Sequence, residues 1–142
     1  MPAKKDSFSL NALDTVAACN RPFEVQIKDV LGNPTPFFVK VLGAHSDAYR
    51  SRVRAMADEQ LRQQASGRSA PASTLDKLEH KNIDALVAAT VDWRVGDSKA
   101  VELDGAELEC SPDNARKVYE RLLPVREQVS EAINDLGNFM TA

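Results

Sequence analysis

Near the start of the chain, apolar and polar residues alternate with a period of two in two separate stretches. Phe23, Val25 and Ile27 alternate with Glu24, Gln26 and Lys28, and Phe37, Val39 and Val41 repeat the pattern across Phe38, Lys40 and Leu42. Leu31-Gly32-Asn33-Pro34 lies between them and carries turn chemistry, so the pattern predicts a small antiparallel β-hairpin. Each strand offers one apolar face. A two-stranded ribbon cannot bury that face alone and must set it against helices or another subunit.

Beyond Gly43 the period lengthens to that of a helix. Tyr49, Val53, Met56, Ala57 and Leu61 recur at spacings of three and four, with arginines and glutamines on the other side. Ser46 or Asp47 can cap this helix, which should fade by Ser66. Residues 66–74 (SGRSAPAST) are small and polar, with Gly67 and Pro71, and read as a flexible internal connector between helices. Leu75, Leu78, Ile83, Leu86, Val87, Thr90 and Val91 then resume the helical period up to Trp93, the sole tryptophan, whose bulk suits a core anchor. Residues 1–20 lack a sustained period and read as a flexible leader in which Ser9 to Asp14 can make one helical turn. The remainder, 21–142, is expected to be a single domain.

The stretch from Val101 to Phe139 is densest in local signals. Asp104-Gly105 sits between the short runs Val101, Leu103 and Ala106, Leu108, and these two residue types tolerate the positive φ angles of a tight hairpin. Ser111-Pro112 marks a helix start, because a serine hydroxyl can accept from a free N–H of the first turn and proline there forfeits no hydrogen bond. Ala115, Val118, Tyr119 and Leu122 form one stripe before Leu123-Pro124, where proline disfavours helical backbone at the preceding residue and predicts a break. A last helix places Val125, Val129, Ile133, Leu136 and Met140 on one side, with Phe139 flanking them. The fold expected is α+β: a small N-terminal antiparallel sheet, a second short hairpin near Asp104-Gly105, and a mainly helical remainder.

Composition fits one folded domain without staples: 142 residues, 43% hydrophobic and 27% charged. Cys19 and Cys110 are far apart and show no Cys-x-x-Cys or Cys/His spacing, so neither a disulfide framework nor a zinc site is expected. No apolar run is long enough to span a bilayer, and the N-terminus lacks a continuous signal-peptide core, so membrane insertion and export are not expected. The net charge of −3 argues against general nucleic-acid affinity. Arg50, Arg52, Arg54, Arg62 and Arg68 nevertheless outnumber Asp58 and Glu59 mid-chain, while Glu102, Asp104, Glu107 and Glu109 dominate later. Arg50 and Arg54 share a helix face that could meet phosphates, but no aromatics interleave with them. The same polarity could pair the basic segment of one copy with an acidic segment of another.

Candidates for chemistry are few. His45 and His80 are the only imidazoles, and neither stands in a setting that suggests a nucleophile or an orienting acid. The carboxylates lie in charged stretches that water should screen. The six glycines are isolated, so no phosphate loop or dinucleotide fingerprint can be drawn. No catalytic residue, cofactor or metal is expected.

The order of several stretches resembles the tail assembly chaperone family of long-tailed bacteriophages and prophages. The resemblance rests on the hairpin, on Val41-Leu42-Gly43-Ala44-His45-Ser46-Asp47-Ala48-Tyr49-Arg50 and the Trp93 segment. It continues through the Glu102-Leu103-Asp104-Gly105 turn, Ser111-Pro112-Asp113-Asn114-Ala115-Arg116, and Val125-Arg126-Glu127-Gln128-Val129 before Asn138-Phe139. It covers Phe23 to Phe139 and leaves the leader and residues 66–74 unmatched. It implies a non-enzymatic protein that binds and solubilises the tape-measure protein during tail morphogenesis, in the cytoplasm of the bacterial host and outside the mature virion. It also implies self-association, a possible meeting with the tail-tube protein, and the short form of a product that some relatives extend by frameshifting. A structural head–tail or minor tail component is the alternative. Amphipathic helices can cover a partner's apolar stripe, which makes Tyr49, Val53, Met56, Val129, Ile133 and Leu136 the candidate protein-contact residues. Burial in the protein's own core competes for each of them.

Overall fold

The structure is a computed structural model and describes residues 7–65, 74–98 and 100–140, the side chains of 74–77 excepted. β1 (Phe23–Lys28) and β2 (Pro34–Val41) form the expected antiparallel hairpin, with Phe23 opposite Val41 and Val25 opposite Val39. The Asp29 carboxylate holds the turn by accepting from the N–H groups of Leu31 and Asn33 at 2.9 and 3.0 Å. Gly32 completes it at φ +85°, a left-handed conformation that costs glycine nothing.

A third strand, β3 (Thr90–Val95), pairs with the other side of β2 and sets Trp93 opposite Val39. Here the structure departs from the sequence reading, which carries helix through Val91. After α2 (Asp47–Ala65), α3 (Thr74–Ala89) stops at Ala89 and enters the strand with no loop between. Thr90 and Val91 are β-branched and Trp93 and Val95 alternate after them, so the open edge of β2 takes the segment as strand. Thr90 secures the junction: its hydroxyl donates to the Leu86 carbonyl at 2.7 Å and accepts from the Tyr119 hydroxyl at 2.6 Å. Burial raises the pKa of Tyr119 and keeps that proton in place.

β4 (Val101–Leu103) and β5 (Ala106–Leu108) make the second hairpin, turning at Asp104 (φ 55°) and Gly105 (φ 79°) as the dipeptide predicts. The Trp93 indole N–H donates to the Leu108 carbonyl at 3.2 Å and ties this hairpin to the larger sheet. α4 (Pro112–Arg121) starts with the Ser111 hydroxyl accepting from the Asn114 N–H at 3.2 Å. Leu122, at φ −99° and ψ 80°, breaks the helical path, and α5 (Leu123–Asn134) begins with Pro124 in its first turn. α5 ends sooner than its stripe suggests: Asp135 turns the chain, and α6 (Gly137–Met140) brings Phe139 into the core edge-on against Phe23, ring centroids 5.6 Å apart.

One continuous core lies between the sheet and the helices. Val25, Ile27, Val39, Val41 and Trp93 face Ile83 and Leu86 of α3, Val118 and Tyr119 of α4, and Val125, Val129 and Ile133 of α5. On the opposite face of the sheet Arg94 lies over the Phe38 ring, 4.1 Å from its centroid, and pairs with Glu24 at 2.6 Å across the strands. The fold is α+β, and Trp93, 2% exposed, is the core anchor its size suggests.

The end of the segment read as a leader packs into the domain. After a 3₁₀ turn at Leu10–Leu13, residues Thr15–Cys19 form α1, and Ala18 and Cys19 are buried. A neighbour far along the chain makes this possible: Gly43 donates its N–H to the Cys19 carbonyl at 2.9 Å, and a Cβ at Gly43 would overlap the Cys19 side chain. Residues 1–6 lie outside the described residues, as does the expected connector up to residue 73; Thr74 already belongs to α3.

Candidate protein-contact surface

α2 and α5 both carry apolar stripes, but only α5 spends its stripe inside the protomer. Val129 and Ile133 are 0% exposed, packed in the core, and Leu136 is partly buried against it. Val129 and Ile133, expected as contact residues, instead face the protomer's own core: the sheet, α3 and α4 surround α5 and leave these two no open side. A partner cannot reach these two side chains unless the domain unfolds.

α2 is the opposite case. It runs for 19 residues and buries none of them. Ser46 caps its start, the hydroxyl accepting from the Tyr49 N–H at 3.3 Å, and Asp47 is tied to Asn20 of the α1 end. α3 is the one element that α2 packs against extensively among the described residues. Polar groups take part in that contact: Arg52 reaches Asp84 at 3.2 Å, Arg116 of α4 pairs with the same carboxylate, and Lys81 donates to Gln60 at 2.9 Å. Between the two helices lies a cavity of about 270 Å³ lined by Arg52, Met56, Gln60, His80 and Lys81 among others.

The three α2 candidates therefore sit in graded positions. Tyr49 is half-buried against the core, which raises its hydroxyl pKa by desolvation. Met56 lines the cavity, and Val53 is 42% exposed. Beyond them Ala57 and Leu61 continue the open side, Leu61 at 63% exposure. Sequence reading counts Leu61 within the stripe without singling it out, although its i, i+4, i+8 relation to Val53 and Ala57 is visible in the spacing. A second apolar feature escapes that reading: Val30 and Leu31 are 84% and 82% exposed at the tip of the β1–β2 turn. Two adjacent aliphatics inside turn chemistry are the signal that could have found them.

His45 hydrogen-bonds Thr15 at 2.6 Å, and His80 is exposed. Among the described residues, no three or more His, Cys, Asp or Glu side chains gather where they could hold a metal ion, and the Cys19 thiol is buried. No helix among them is long and apolar enough to cross a membrane. No protein-family model matches the chain, and neither do the curated proteins or the solved structures compared with it.

Proposed function

We propose that this protein is a tail assembly chaperone of a long-tailed phage or prophage, which binds the tape-measure protein in the host cytoplasm and is left out of the finished virion. The observation that carries the reading is α2: a helix whose apolar row Val53, Ala57 and Leu61 is left exposed among the described residues. Such a row matches what a largely helical client needs, a surface that replaces water along its own apolar stripe. The ordered resemblance from Phe23 to Phe139 supplies the identity of the client. Tyr49 and Met56 border the row, and the arginines beside it keep the free surface in solution.

Co-expression with the tape-measure protein of the same phage tests the proposal. A rise in the soluble tape-measure fraction is expected, with the two proteins co-purifying; an unchanged insoluble fraction overturns it. Mass spectrometry of purified virions separates the chaperone from a head–tail or minor tail component, which would persist in the particle.

A further inference from the structure

The open side of α2 is self-complementary. Val53, Ala57 and Leu61 form a row at spacings of four, with the small residue in the middle and a larger aliphatic at each end. The neighbouring row is Arg50, Arg54 and Asp58. All six side chains are exposed, and among the described residues Arg54 and Asp58 have no ion-pair partner within the protomer.

We propose that a second copy of this chain covers this row, through an antiparallel α2–α2 pair with its two-fold axis at Ala57. Antiparallel helices related by such an axis present the same flank to each other, so each row meets its own copy in reverse order. With Ala57 opposite Ala57, Val53 of each copy lies against Leu61 of the other. The missing bulk at the centre lets the two backbones approach. On the flanking row, Arg54 of each copy comes level with Asp58 of the other, within about two residues of axial rise, so two reciprocal ion pairs close the edge of the contact. A parallel pair would carry the Arg54 and Asp58 rows of the two copies to opposite sides of the seam, where they could not pair with each other.

The overlap from Arg50 to Gln64 is roughly 21 Å long, a small interface, so a monomer–dimer equilibrium at about micromolar to tens of micromolar protein is expected. The inference rests on the uncovered row and its charges, and it holds or fails without the tape-measure proposal. Where both hold, client and second copy compete for one surface.

Analytical ultracentrifugation of the full chain, with far-UV circular dichroism as a check on folding, tests it. Arg54→Glu and Asp58→Arg should each weaken dimerisation by roughly tenfold, and the double exchange should restore it, since only the reciprocal geometry brings the two substituted charges together again. Ala57→Cys should cross-link to its copy under mild oxidation, whereas Ser51→Cys, on the far side of α2, should not. A chain that stays monomeric up to about 0.5 mM overturns the inference and leaves the row to a different protein. A dimer indifferent to both single charge reversals, or one that the double exchange fails to restore, overturns it equally.

Discussion

α5 and α2 carry apolar stripes that look alike in sequence and end in opposite places. The α5 stripe is enclosed by β1, β2, α3 and α4, whereas α2, among the described residues, packs extensively against α3 alone, through contacts that include the Arg52–Asp84 pair and the Lys81–Gln60 hydrogen bond. Helical period states that a side of a helix is apolar; the number of neighbouring elements decides whether that side is core or surface. The same three-and-four spacing thus serves the core on α5 and leaves Val53 and Leu61 exposed on α2.

Substitution with a charge should separate the two helices most sharply. Ile133→Asp places a carboxylate among fully buried side chains and should cost about 4 kcal/mol or more, enough to abolish the urea-unfolding transition. Leu61→Asp on α2 should shift the stability of the protomer by no more than about 0.5 kcal/mol. Similar losses at both positions would erase the distinction. Gly43→Ala tests the link between α1 and the core: the added methyl would overlap Cys19, and a loss of about 1–3 kcal/mol is expected from the same unfolding measurement.

Much of this architecture was legible in short-range chemistry. The alternation in β1 and β2, Asp104-Gly105, the Ser111 cap and the Pro124 break each act within a few residues, and each element stands where its signal lies. What escaped depends on distant neighbours. Thr90 to Val95 becomes a strand because β2 has an edge to offer, and Cys19 becomes core because Gly43, 24 positions further along the sequence, has no side chain. For the candidate surface, the apolar positions of α2 and α5 were readable, but the choice between them was not, since periodicity carries no information about what lies opposite.

Smaller effects sharpen the contrast on the core side. Tyr119→Phe removes the proton that Thr90 accepts at the α3–β3 junction and should cost about 1 kcal/mol, read as a lower unfolding midpoint. Smaller still is the cross-sheet pair of Glu24 with Arg94. The hydrogen bond from Arg94 holds the Glu24 carboxyl below its ordinary value of 4.5, so the pair's stabilisation is complete above that pH. It is lost as the pH falls through the lowered native value. Glu24→Gln should therefore flatten the acid limb of the stability curve below pH 4.5 while leaving α2 untouched.

The most direct test of α2 as a recognition surface is capture of the tape-measure protein by wild type and by Val53→Asp/Leu61→Asp, two preparations with matching urea midpoints. The wild-type chain should hold the tape-measure protein in solution, and the double variant should lose at least about tenfold in affinity while staying folded. Equal capture by both, or none by the wild type, would contradict a role for α2 in covering that protein.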